Sequence, residues 1–176
     1  MPAAAEINEP LIREYITRAV SDVFKTMLGR VPAFVGSTPQ PNGSTSPAVI
    51  TNQDRQLYVV GTVGFIGEVN GLIYLYLEEP FARLCTCQLL GMSETELAAA
   101  GDEVTNDAIG ELTNMTVGGF KNGLCDAGYP CKLTIPSILR GSNFSIEPIS
   151  SATRHTYNFD SGGHKLVADI LLKAGD

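Results

Sequence analysis

The sequence predicts an α+β fold: an antiparallel sheet with two long helices packed on one face, assembled from pseudo-duplicated halves. Three observations lead there. Residues 7–28 and 103–124 repeat apolar side chains at helical spacing over several turns. Apolar, β-branched runs bounded by turn residues lie between and after them. The two helical stretches also end alike, in FKTML at 24–28 and FKNGL at 120–124, a faint internal echo.

Each element has a local reason. In the first stretch Ile7, Leu11, Tyr15, Ala19, Val23 and Met27 fall on one stripe, and Gly29 supplies a stop. GSTPQPNGSTSP, from Gly36 to Pro47, contains no large apolar residue and reads as a flexible loop. The wider 32–56 segment is assigned no function. Runs 57–67 and 70–77 read as a hairpin joined near Asn70-Gly71, a dipeptide that favours tight turns. Pro80 opens a short helix through Leu90, since proline suits a first helical position. Ser93 and Glu96 form a capping box ahead of LAAA. After the helix at 103–124, strands are expected at 131–140, 143–149, 153–160 and 164–173, the last two turning at DSGG.

Composition narrows the function. The 176 residues suit a single domain, and their net charge of −7, without a cluster of Lys and Arg, argues against a nucleic-acid binder. No basic segment followed by an apolar core marks a secretory signal, and no run is long and apolar enough to span a membrane, so the cytoplasm is the default compartment. Cys85, Cys87, Cys125 and Cys131 form neither a disulfide framework nor paired zinc knuckles. They read as reduced thiols, with Cys85-x-Cys87 as a redox pair the alternative. His155 and His164 accompany no nucleophile motif or metal-ligand spacing and receive no catalytic role. Asn143-Phe-Ser145 is a glycosylation sequon without relevance in a cytosolic chain.

NDAIGELTNMTVGGFKN, residues 106–122, carries the chemistry. A glycine within a helix costs about 1 kcal/mol relative to alanine, yet three occur here. A helix turns about 100° per residue, which gathers Val104, Ala108, Ile109, Leu112, Met115, Thr116, Gly119 and Phe120 within roughly 160°. Asp107, Glu111, Asn114 and Gly118 gather in roughly 60° elsewhere. Gly119 therefore admits a close neighbour on the core side, and Gly118 admits a partner on the polar side. Glu111 and Asn114, three residues apart, can address one target.

Asp107-x3-Glu111-x2-Asn114 followed by Pro136 resembles the signature of the CheC, CheX and FliY phosphatases of bacterial chemotaxis. The layout of helix, hairpin, helix and terminal strands is similar over most of the chain. Between Asn114 and Pro136 stand 21 residues, one fewer than the family pattern. Members with two sites carry ExxN in both halves. Here Glu14 is followed by Thr17, and aligning the halves by their FK pairs puts Tyr15 and Arg18 at those positions. One site remains, which resembles CheX more than CheC.

The resemblance implies hydrolysis of the phospho-aspartate of a CheY-like response regulator. Asn114 would orient the water and Glu111 would pair with the receiver's lysine; both are the expected catalytic residues. Asp107, Glu111 and Gly118 would meet the partner, and Pro136 would be structural. The resemblance implies no cofactor of the protein's own: Mg2+ comes with the phosphorylated receiver. It also implies a homodimer. Two other readings stay open: a non-catalytic module of this fold that binds a receiver, flagellar switch or scaffold protein, and an unrelated α+β domain with an accidental ExxN.

Overall fold

A computed structural model describes residues 7–38, 56–142 and 152–175. In chain order the elements are α1 (Glu9–Leu28), β1 (Ala33–Thr38), β2 (Tyr58–Gly67), β3 (Val69–Glu78), α2 (Glu79–Leu90), α3 (Glu94–Ala100), α4 (Asp102–Asp126), β4 (Cys131–Leu133), β5 (Ser137–Gly141), β6 (Thr153–Ser161) and β7 (His164–Ala174). All strand pairings are antiparallel, in the order β1-β6-β7-β3-β2-β4, with β5 also on β2. The α+β expectation holds, with α1 and α4 together on one face.

The strand order is palindromic about the β7/β3 pair. Each half runs helix, edge strand, then a hairpin, and each edge strand crosses to pair with the other half's hairpin. The FK echo falls on equivalent positions, with Phe24 and Phe120 both fully buried on the sheet.

Helix boundaries follow local chemistry. Asn8 Oδ1 accepts from the Leu11 N–H at 3.1 Å, and Gly29, at φ 65°, closes α1 by donating to Lys25 O. In α3 both halves of the capping box form: Ser93 Oγ accepts from Glu96 N, and Glu96 Oε2 accepts from Ser93 N, each at 3.1 Å. The buried face of α1 is Ile12, Ile16, Ala19, Val20, Phe24 and Leu28. That is one residue over from the expected stripe, which shares only Ala19 with it and otherwise flanks the core half-buried. Both sets have helical spacing, and the fit to the sheet chooses between them.

Three strand expectations need correction. Gly36 is not loop: Gly36, Ser37 and Thr38 belong to β1, paired with β6, while 39–47 lie outside the described residues. Asn70-Gly71 does not form the hairpin turn but lies inside β3. Asn70 Oδ1 instead accepts from Gly67 N at 3.0 Å, and Gly71 sits under its cross-strand partner Phe65, whose Cε2 would lie 2.8 Å from an added Cβ. The expected strand 131–140 is two strands, interrupted at Thr134–Pro136. The expected strand 143–149 lies outside the described residues. The turn at DSGG is present, with Gly162 and Gly163 at φ 59° and 86° and Gly163 N donating to Asp160 Oδ1.

The helix-side core joins Val59, Val63 and Phe65 of β2 and Ile73, Leu75 and Leu77 of β3 to their counterparts on β6 and β7. Gly61, on the same face of β2, makes the seating of α4 possible. A Cβ there would overlap Thr113 Oγ1 and lie 2.8 Å from Thr113 Cβ, so only glycine lets α4 down onto the strand. The opposite sheet face holds a second buried cluster, Tyr58, Val60, Tyr76 and Val167. Beside it Arg154 donates twice to Asp169, at 3.0 and 2.7 Å, and Thr156 Oγ1 donates to Asp169 Oδ1 at 3.1 Å.

Candidate active site

The buried arc of α4 runs from Ala108 round through Leu112, Thr116, Ile109, Phe120, Thr113, Leu124 and Val117 to Gly110. It is wider than the stripe expected from the sequence. Val104 and Met115 are only half-buried, and Thr113, Val117 and Gly110 join from the far side. The polar arc therefore begins directly beside a packed edge. Asp107 and Glu111 are exposed, while Asn114 and Gly118 are half-buried.

What packs that edge is the β4–β5 segment. Gly110, Asn114 and Gly118 stand four residues apart on one line of the helix. A Cβ at Gly110 would meet Ile138 Cδ1 at 3.9 Å, and one at Gly118 would meet Leu133 Cδ1 at 3.7 Å. Leu133 and Ile138 thus stand at the two glycines that flank Asn114 on this line, and Thr134–Ser137 connects them. Gly118 thus has its own chain's Leu133 as neighbour. Gly119 faces α1, where the Ala19 Cβ would lie 3.1 Å from an added Cβ, and Gly123 faces the Tyr15 ring.

The stretch beside Asn114 is a β-bulge. Thr134 lies opposite Gly64, bonding it from both backbone and side chain, at 2.8 and 2.9 Å. Ser137 pairs with Thr62. Two residues, Ile135 and Pro136, therefore oppose the single residue Val63. Proline has no N–H to give a ladder and is tolerated at bulges, which bend a strand and re-aim its side chains. Pro136 is half-buried at this bend.

A second clamp holds the start of α4. The Arg140 guanidinium donates to Asn106 Oδ1 and, at 3.5 Å, to the Asp102 carbonyl, and it lies 3.9 Å from the Asp102 carboxylate. Arg140, Thr134 and Ile138 were not singled out by sequence reasoning. Their only sequence signal is an apolar, β-branched run interrupted by Pro136.

Among the described residues, the side chains of Asp107, Glu111 and Asn114 make no hydrogen bond or ion pair. Asp107 and Glu111 are exposed and Asn114 is half-buried beside them, so together they form a polar ridge. Two surface concavities are lined by other parts of the chain, one along α1 with Phe34 and one between Leu57, Arg83 and Glu94. A ridge offering unsatisfied polar groups is suited to entering a partner's cleft rather than enclosing a small molecule.

The corresponding line of α1 is differently filled. Tyr15 packs against Gly123, while Arg18 pairs with Glu14 and lies 5.9 Å from the Tyr15 ring centre. The histidines are packing groups: His164 stacks on Phe81 with ring centres 4.9 Å apart, and His155 stacks on Tyr157. All four cysteines are free. Burial pushes the Cys85 thiol up to about 12 and the Cys131 thiol up to about 11, which keeps both protonated and unreactive near neutrality.

A family described as "Chemotaxis phosphatase CheX" matches residues 59–160, more than half the chain. A curated relative, the CheY-P phosphatase CheX of Thermotoga maritima, is 28% identical over 102 residues; the match takes in 57% of this chain and 63% of that protein. Among solved structures, a CheC-like superfamily protein from Shewanella sp. PV-4 superposes with a TM-score of 0.75 at 24% identity, covering 96% of this chain and all of the other. CheX in a CheX–CheY–BeF3–Mg2+ complex from Borrelia burgdorferi gives 0.69 at 18% identity, covering 92% and 97%. The folds therefore agree over nearly their whole length. Together with the family match, which runs from β2 through β3 and α4 to β6, this means that the chain belongs to the CheX family.

Proposed function

We propose that the protein hydrolyses the phospho-aspartate of a CheY-like response regulator in chemotaxis signalling. The observation that carries this reading is Asn114: a half-buried carboxamide, without a partner among the described residues, held on a rigid ridge one turn from exposed Glu111. The name of the Thermotoga relative and the Borrelia complex with CheY support the same partner.

An acyl phosphate is already reactive, and its transition state is loose, so the task left to a phosphatase is largely positioning. A carboxamide both donates and accepts, so Asn114 fixes the orientation of a water in line with the phosphorus without bringing negative charge to the phosphoryl oxygens. Glu111 pairs with the receiver's active-site lysine and seats the ridge. Asp107 extends the acidic edge one turn earlier, and Gly118, beside Leu133, keeps the helix low at the end of the ridge that the partner meets. Pro136 acts through the bulge that braces Asn114. The divalent metal belongs to the receiver. A non-catalytic docking module would need no amide at position 114, which favours the enzymatic reading.

The active unit is one CheX-like domain over residues 1–176, working in the cytoplasm. It pairs as a homodimer through β1, an edge strand among the described residues, where Val35 is 62% exposed. Among the described residues no helix is long and apolar enough to cross a membrane.

The test is loss of phosphate from a phosphorylated receiver. Asn114→Ala is expected to lower turnover by about a hundredfold, equivalent to about 2.7 kcal/mol of positioning, with binding largely kept. Glu111→Ala is expected to weaken both. Undiminished dephosphorylation by Asn114→Ala would remove the proposed mechanism.

A further inference from the structure

The bulge beside Asn114 presents Ile135, which at 87% exposure is the most exposed large apolar side chain described. A single exposed isoleucine is ordinary on a protein surface. This one is not on a loose loop. Thr134 is bonded twice to Gly64 on one side, Pro136 fixes the backbone on the other, and Leu133 and Ile138 pin the flanks against α4. The fold therefore spends a bulge and a proline to hold an apolar side chain out in water next to the candidate amide.

Rigid display matters for binding. A side chain already fixed in its bound position loses little freedom on docking, and a buried aliphatic anchor beside polar groups is a common centre of interface affinity. We infer that Ile135 is a docking anchor for the phosphorylated receiver, entering an apolar depression at the rim of the receiver's acidic phosphorylation pocket while Glu111 and Asn114 enter the pocket itself. This rests on the phosphatase reading above and adds a specificity-determining residue to it. The occupant is the receiver rather than a second copy, because Ile135 lies in the segment between Leu133 and Ile138, whose side chains reach Gly118 and Gly110, the glycines either side of Asn114 on the polar edge of α4. Ile66, 62% exposed, provides a control: it lies on β2 at the alternate position to core residue Phe65, and so faces away from α4.

The experiment measures KM and kcat for dephosphorylation of a phosphorylated CheY-like receiver by wild type, Ile135→Ala, Ile135→Asp and Ile66→Asp, with melting temperatures alongside. Ile135→Ala is expected to raise KM about tenfold and Ile135→Asp more, with kcat and melting temperature unchanged and Ile66→Asp like wild type. Binding of the phosphorylated receiver to Asn114→Ala, with and without Ile135→Asp, gives a second readout independent of turnover. Equal affinities there, or KM within twofold of wild type for both Ile135 variants, would overturn the anchor even where Asn114→Ala had lost turnover as expected. A fall in melting temperature with the Ile135 variants would also overturn it, by making the residue structural. Absence of turnover in the wild type would sink the phosphatase reading alone, since the binding comparison still decides the anchor.

Discussion

Gly61→Ala tests the link between fold and site. The added methyl would overlap Thr113 Oγ1 and come within 2.8 Å of Thr113 Cβ and 3.1 Å of its Cγ2. Thr113 cannot swing away easily. It is fully buried, its hydroxyl donates to Ile109 O at 2.6 Å, and it sits in mid-helix. Relief must come from lifting α4 off β2, an overpacking strain of about 3 kcal/mol. For a chain of this size that lowers the melting temperature by about 6–12 °C. Because Thr113 adjoins Asn114, the same displacement moves the amide and should lower turnover more than binding. Thr113→Gly alone should cost about 2 kcal/mol through lost packing and helix flexibility. The pair Gly61→Ala/Thr113→Gly should then cost little more than Thr113→Gly alone, giving a coupling of about 2–3 kcal/mol. Urea unfolding followed by circular dichroism measures all four species. A Gly61→Ala variant within about 0.5 kcal/mol of wild type, or simple additivity in the pair, would refute the close seating of α4.

Asp169→Ala strips the Arg154 guanidinium, 5% exposed, of its bidentate carboxylate and should destabilise by about 3–5 kcal/mol; an unfolding midpoint equivalent to less than about 1 kcal/mol would contradict this. His155 is held below its ordinary value of 6.5 by burial, with Glu9 acting weakly in the other direction. Its neutral form is thus favoured by folding. The contribution is complete above about pH 6.5 and lost as pH falls through the depressed folded value, so melting temperature should decline on acidification and decline less in His155→Gln. Asn114→Asp keeps the shape of the amide but adds a charge facing the phosphoryl oxygens; it should lose turnover as completely as Asn114→Ala, and full activity in a single-turnover assay would exclude an orienting role for the amide.

The sequence alone determined what local interactions decide. Gly29 closes α1, Ser93 and Glu96 cap α3, and the clustering of Asp107, Glu111 and Asn114 follows from helical geometry, whatever the helix packs on. Where two local signals competed, only the tertiary structure chose. Two stripes of α1 have equal claim by spacing, and the sheet buries the one that contains Phe24. Asn70-Gly71 carries a turn signal, but cross-strand packing of Phe65 over Gly71 places it inside β3.

The remaining features depend on pairings between distant residues. AFVGST is short and runs straight into a turn-rich GSTPQPNG stretch, and it becomes β1 because β6, more than a hundred residues later, provides its ladder. Pro136 is visible in the sequence, but its meaning is not: it forms a bulge only because β2 fixes Thr134 against Gly64 and Ser137 against Thr62. That pairing brings Ile135 alongside Asn114 and lets Arg140 reach back to Asn106. Helical periodicity is written within a few residues, whereas the neighbours of a helix face are chosen by the register of strands it never touches in sequence.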